Sequence, residues 1–241
     1  MLNNLNLENI LFLDIETVPQ SPVFEDVPEY VRELWEKKSS FFRQSDESAS
    51  DVYEKAGIHA EFGKIICISA GFFTFQENNR KFKIKSFFGD EEKSILNDFI
   101  AMLEKFTRRS EANLCAHNGK EFDFPYLARR MIINNLDLPR ILDIAGKKPW
   151  EMQFLDTMEL WKFGSFKHYT SLDLLSHVLG LPNPKNEMDG SQVSFIYYVE
   201  NDLKKIVQYC ENDVLTVAQI ILKFKKMKIL ETSEVEIVTV Y

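Results

Sequence analysis

Two carboxylates, two residues apart, close an apolar run: Ile10-Leu11-Phe12-Leu13-Asp14-Ile15-Glu16-Thr17. The run reads as a strand buried on both faces. Side chains alternate along a strand, so Asp14 and Glu16 project from one side while Ile15 stays in the core. Acids side by side at the end of a buried strand repel each other and are costly to desolvate; a bound cation removes both costs. Oxygen ligands suit Mg²⁺ or Mn²⁺, and neither Cys nor His stands nearby in the sequence to suggest zinc. A lone Asp-x-Glu is more simply a strand that ends in a solvated acidic turn. The reading therefore depends on whether more carboxylates follow.

They follow twice. In Ala116-His117-Asn118-Gly119-Lys120-Glu121-Phe122-Asp123 a strand ends at Asn118 and a helix carrying Asp123 begins a few residues later. Open α/β sheets gather ligands at the carboxyl ends of their strands, where Asp14 and Glu16 also sit. The Asn118-Gly119-Lys120 turn lacks the upstream glycine and the following Ser/Thr of a phosphate loop. The third cluster, Tyr209-Cys210-Glu211-Asn212-Asp213, lies on a late helix. Its Tyr209 and Asp213 are four residues apart, on one face, and Val207, Cys210, Val214 and Val217 mark the side that packs on the sheet. Taken singly, Asp123 is a helix-capping acid and the Tyr209/Asp213 pair a surface pair.

Taken together and in order, Asp-x-Glu, Asn-x-x-x-Phe-Asp and Tyr-x-x-x-Asp resemble the DEDD superfamily of 3′–5′ exonucleases, tyrosine subclass. The resemblance is closest to stand-alone bacterial exonucleases related to the proofreading domain of family B DNA polymerases. It runs from about Asn9 to Lys228 and includes Lys64-Ile65-Ile66-Cys67-Ile68-Ser69, Ser171-Leu172-Asp173-Leu174-Leu175 and Asp189-Gly190-Ser191. It implies a ribonuclease H-like fold, a mixed five-stranded sheet flanked by helices. It also implies two divalent cations, Mg²⁺ or Mn²⁺, held by Asp14, Glu16, Asp123 and Asp213. Asp14 would bridge them, Glu16 and Asp213 would complete the nucleophile-side ion, and Asp123 would reach the second. Tyr209 would orient the attacking water, since a phenol of pKa about 10 is a poor general base at neutral pH. The implied substrate is a single-stranded 3′ end, DNA in preference to RNA. An RNA-trimming enzyme and a non-catalytic binding module of the same fold are the competing readings.

Thr17, Asn118 and Phe122 are candidate contacts to the terminal nucleotide, Phe122 through its aromatic face, and Lys185 to a substrate phosphate. For Phe122 an ordinary core position, and for Lys185 an exposed loop position, are the simpler readings. Asp156, in Leu155-Asp156-Thr157, either supports the metal ligands from behind or is a helix N-cap, the cap being the simpler reading. His59, His117, His168 and His177 show no ligand spacing. Lys223, Lys225, Lys226 and Lys228 complement a helix dipole. Phe163, Phe166 and Tyr169, interleaved with Lys162, Lys167 and His168, are the right types to line a single-strand channel.

The elements that must position these side chains follow from hydrophobic period. After the first strand, residues 19–63 read as an insertion within a single domain of residues 1–241. It holds a helix after Pro28 (Tyr30, Val31, Leu34, Trp35), a polar stretch from Ser39 to Ser50 read as mobile, and a short helix in 51–60. Strands at 64–75 and 81–88 flank a hairpin turn at 76–80. Helices follow at 90–106 and 121–134, around a strand at 113–117. A strand at 154–156 precedes helices at 157–162, 171–179 and 202–228; residues 235–241 form a strand or a tail. The sum is an α/β sandwich.

Bulk properties set limits. The 241 residues are 45% hydrophobic with 20 Phe, enough for a sizeable core. The net charge of −8 argues against broad, sequence-independent nucleic-acid binding, which needs a basic footprint. It leaves room for an enzyme that grips a few phosphates through metals and local lysines. Three widely spaced cysteines fit reduced, buried thiols. No signal peptide or membrane-spanning run is evident, and a cytoplasmic location is expected.

Overall fold

The computed structural model describes residues 5–76, 79–108, 111–165, 169–182 and 188–241. At its centre is β1 (Ile10–Pro19), buried on both faces except at Asp14 and Thr17. β1 pairs antiparallel with β2 (Gly63–Gln76), which pairs antiparallel with β3 (Asn79–Phe88). On its other side β1 runs parallel to β4 (Asn113–Ala116), and β4 parallel to β5 (Phe154–Asp156). A sixth strand, β6 (Val235–Ile237), lies parallel on β3, giving the order β5-β4-β1-β2-β3-β6. Five strands were expected. The sixth is short and half exposed, so its sequence carries no buried alternation, and residues 235–237 prove to be strand where a tail was an equal reading. The β2–β3 hairpin forms as expected, with its tip, residues 77 and 78, outside the described residues.

The alternation along β1 distributes the core. Leu11, Leu13 and Ile15 face α2 (Glu92–Thr107) and α3 (Asp123–Ile133), meeting Ile95, Leu96, Phe99, Phe124 and Leu127. Ile10 and Phe12 face the long helix α7 (Leu203–Phe224) and meet Phe73, Phe82, Val214, Val217 and Ile221. Fully burying side chains of this size contributes about 1.5–3 kcal/mol each. Asp14 and Glu16 continue the second face and therefore look toward α7. Gly71, opposite Phe12, lets the helix approach: a Cβ there would stand 2.6 Å from the Phe82 ring and 2.9 Å from Val214 Cγ1.

The chain between β1 and β2 carries α1 (Glu29–Ser39) and a 3₁₀ turn, Tyr53–Ile58, where a short helix was expected. Trp35 is wholly buried among Val27, Val52, Tyr53 and Ala56. Its indole N–H donates to the Ala49 carbonyl at 2.8 Å, which ties down the end of the polar stretch. Two contacts fasten this segment to α3: the Tyr126 hydroxyl donates to Gly57 O at 2.7 Å, and Arg130 Nη1 to Ala60 O at 2.8 Å. Arg130 also forms a buried ion pair with Glu92 on α2, whose carboxylate accepts the Ile65 N–H at 2.8 Å. Removing one partner of such a pair typically costs about 3–5 kcal/mol.

Two short helices, α4 (Thr157–Lys162) and α5 (Leu172–Val178), follow β5. Before α7 comes a helical stretch the sequence did not announce. It comprises a 3₁₀ turn at Gly190–Gln192, the single turn α6 (Val193–Phe195) and a π-turn at Ile196–Glu200, stopped by Asn201 at φ +54°. α7 starts one residue later than expected, capped by Asp202 onto the Lys205 N–H, and ends four residues earlier. Its Glu211 is buried and accepts hydrogen bonds from Ser86 Oγ (2.8 Å), Thr239 Oγ1 (2.5 Å) and the Tyr241 hydroxyl (2.9 Å).

Candidate active site

Asp14 stands opposite Ser69, and Glu16 opposite Cys67, on the α7 side of β1. The ladder register slips immediately afterwards, between Glu16 and Thr17, and Val18 joins a separate cluster with Ile66, Ile196 and Ile206. From α7, Tyr209 packs against that cluster, and its hydroxyl is hydrogen-bonded to the Asp213 carboxylate. From the far side of the sheet, Asp123 is the first residue of α3. The chain reaches it through a turn in which Asn118 is left-handed at φ +61°. Gly119 is packed so tightly there that a Cβ would fall 2.4 Å from the Ala116 Cβ.

The structure brings Asp14, Glu16, Asp123, Tyr209 and Asp213 into one electrostatic group. Burial, then the charges of Asp123 and Asp213, push the Asp14 carboxyl well above the usual carboxylate range. Burial, then Asp14 and Asp213, do the same to Glu16. Burial raises Asp123 to about 8; hydrogen bonds from the backbone N–H groups of Asp123 and Ile15 offset it only in part, while Asp156 and Asp213 add to it. Asp213 is raised to about 7, again chiefly by burial, with the Tyr209 hydroxyl pulling the other way. The Tyr209 phenol is pushed well above its ordinary value by burial and by the surrounding carboxylates. It therefore stays protonated at any physiological pH.

One atom shows what the group lacks. Asp123 is 2% exposed and its Oδ1 has no hydrogen-bond partner. A buried carboxylate oxygen without a donor is costly, and a cation in the cluster would satisfy it. Among the described residues, Asp14, Glu16 and Cys210 offer ligand atoms within 4.8 Å of one another. Sequence proximity hid Cys210 from this neighbourhood, because it arrives from α7. Its Sγ donates to the Asp14 carbonyl at 3.4 Å, and burial raises the thiol well above its ordinary range, so it is a protonated donor. The donor set is then carboxylate oxygen, as hard divalent cations require.

Around the group, Asp156 is the N-cap expected and more. Its buried carboxylate accepts the N–H groups of Met158 (3.0 Å) and Glu159 (3.3 Å) in α4, and of Asn118 (3.0 Å) and Lys120 (3.1 Å) in the turn before Asp123. His117 bridges Thr157 Oγ1 (2.9 Å) and the Thr170 carbonyl (2.8 Å); the carbonyl can only accept, so Nε2 carries the proton. Asp173, at the start of α5, lies close enough to raise Asp213. Thr17 is half-buried and hydrogen-bonds with Tyr126. Phe122 is half-buried against the core, its ring 5.4 Å from that of Tyr126. His59 stacks on Phe42. Lys185, and with it Phe166, Lys167 and His168, lies outside the described residues.

A sheet with this order, its second strand reversed and helices on both faces, is the ribonuclease H-like arrangement, and the chain is an enzyme of the 3′–5′ exonuclease class. A profile described as "Predicted 3'-5' exonuclease related to the exonuclease domain of PolB" matches residues 58–237, and the chain belongs to that family. The match includes Asp123, Tyr209 and Asp213; Asp14 and Glu16 precede it and join through the pairing of β1. Among solved structures the chain is similar to the RNase domain of the yeast Pop2 protein. That likeness has 11% identity over 95% of this chain and 81% of that one, with a TM-score of 0.47. No curated protein matches it in sequence. Among the described residues, no helix is long and apolar enough to cross a membrane.

Proposed function

We propose that the chain removes nucleoside monophosphates from the 3′ end of single-stranded DNA. The observation that carries this reading is that four carboxylates and a tyrosine from three distant segments lie close enough to shift one another's acidity, with the Asp123 Oδ1 left unpartnered. A pair of divalent cations, Mg²⁺ or Mn²⁺, would supply charge stabilisation to both the attacking and the leaving oxygen of the phosphodiester.

Asp14, Glu16, Asp123 and Asp213 are the residues that would hold these ions. Asp14, which feels both Asp123 and Asp213, has the central position. Tyr209, kept protonated and hydrogen-bonded to Asp213, positions the attacking water. Asn118 and Thr17 border the group and, with Phe122, are the contacts for the terminal nucleotide; Lys185 would meet a phosphate. DNA is favoured over RNA because the family is related to the exonuclease domain of PolB. The three cysteines, all buried and unpaired, suit the reducing cytoplasm.

The test uses matched DNA and RNA oligonucleotides labelled at the 5′ end, with Mg²⁺ or Mn²⁺. Stepwise shortening of DNA from the 3′ end, abolished by Asp14→Ala, is the expected result. Faster shortening of RNA would overturn the choice of polymer, and full activity in Asp14→Ala would overturn the site.

A further inference from the structure

We propose that Phe163 and Tyr169 are stacking supports for unpaired bases lying 5′ of the scissile phosphate, with Lys162 and Lys120 meeting the phosphodiesters between them; this rests on the exonuclease reading above. α4 ends because Phe163 adopts a left-handed conformation at φ +45°, followed by Gly164 at φ +83°. A bulky residue is strained there, and folding gains nothing visible in return, because the Phe163 side chain is 85% exposed. Tyr169, 71% exposed, stands shortly before α5. The carbonyl of its neighbour Thr170 accepts from His117 Nε2 at 2.8 Å, which ties the backbone beside Tyr169 to the residue that follows β4.

Other aromatic side chains are as exposed, Phe41 at 88% and Trp150 at 77% among them, so exposure alone selects nothing. The neighbours of these two residues select the pair. A cleft of about 580 Å³ adjoins the end of α4, lined by Lys120, Asp156, Glu159, Gly164, Ser165 and Lys162, so that the residues on either side of Phe163 face it. Asp156 joins it to the candidate active site, for the same carboxylate holds the Asn118 and Lys120 N–H groups. Lys120 reaches Glu159, whereas Lys162 has no ion-pair partner among the described residues.

On the other side, past Thr17 and Pro19, one pocket carries Glu54 and Lys55 and the next carries Glu25, Asp51 and Glu54 with no lysine or arginine in its lining, a less favourable path for phosphates. On a protein of net charge −8, a strand is held better by ring faces, which every base can use, than by a broad basic surface.

The test measures the binding of 5′-fluorescein hexathymidylate by anisotropy with Ca²⁺, using the full chain. Hydrolysis of the p-nitrophenyl ester of thymidine 5′-monophosphate with Mn²⁺ is followed in parallel, since that small substrate reads the catalytic centre without a strand. Phe163→Ala and Tyr169→Ala should each weaken hexathymidylate roughly tenfold, and together roughly a hundredfold. Phe163→Trp should retain binding, and ester hydrolysis should stay unchanged throughout. Unchanged hexathymidylate affinity in the double variant would overturn the proposal, as would an equal loss of ester hydrolysis, which would make the rings part of the centre itself. If the wild-type chain binds hexathymidylate through these rings but cleaves neither substrate, the strand surface stands and the exonuclease reading falls.

Discussion

Replacing Asp123 with asparagine separates the electrostatic cost of the acidic group from its chemistry. The Asp123 carboxyl is raised from 3.8 to about 8, so the folded protein holds a proton there that the unfolded chain releases. Stability from this group is therefore present at low pH and lost as pH rises between those two values. With about 1.4 kcal/mol for each tenfold change in acidity, the ionised form is disfavoured by up to about 5–6 kcal/mol above pH 8. Sharing among the neighbouring carboxyls reduces what one substitution can recover to about 1–3 kcal/mol. The amide is neutral at every pH, nearly the same size, and keeps an oxygen to accept the backbone N–H groups of Asp123 and Ile15. Metal-free Asp123→Asn should then melt about 2–10 °C higher than wild type at pH 8, with the difference vanishing near pH 4. Exonuclease activity should be lost in Mg²⁺. The assay is calorimetry in EDTA across this pH range. A variant less stable than wild type at pH 8, or equally shifted at both ends, would refute the idea that ionising this buried carboxyl destabilises the metal-free fold.

Mg²⁺ should raise the melting temperature of the wild type more at pH 8 than at pH 5, because at low pH protons compete for the same oxygens. At a hundredfold excess over its dissociation constant the ion contributes about 2.7 kcal/mol, and a pH-independent shift would argue against carboxylate ligation. Tyr209→Phe should lower kcat about 10- to 100-fold while isothermal titration shows metal affinity little changed; an unaltered kcat would leave the hydroxyl a packing role. Asp156→Ala strands four N–H groups and should cost about 2–4 kcal/mol in denaturant unfolding. Amide exchange at Asn118 and Lys120 should accelerate in that variant, and continued protection of both amides would show the turn to be held by something else.

Much of this was legible in the chain. The continuous apolar run before Asp14 announced a strand buried on both faces, and strand alternation put Asp14 and Glu16 on one common side. The four-residue spacing of Tyr209 and Asp213 agrees with the helix that carries both, and Val207, Cys210, Val214 and Val217 are indeed its buried side. What escaped were features with no local pattern. β6 is three residues long and half exposed. The 190–200 stretch spreads its apolar residues over three kinds of helical turn. Cys210 approaches Asp14 only through the α7–β1 packing that Gly71 allows. The reach of Asp156 across to Asn118 and Lys120 was likewise invisible, since an N-cap signature reports only the helix it starts.

Glu211 sits midway between Tyr209 and Asp213, yet its carboxylate is committed to Ser86, Thr239 and Tyr241 on the opposite flank of the same turn. Each added or deleted residue would rotate everything beyond it by about 100°, carrying one set of partners into the territory of the other. Over evolutionary time this turn can drift by substitution but not by changes in length, so its five-residue count should outlast much of the surrounding sequence.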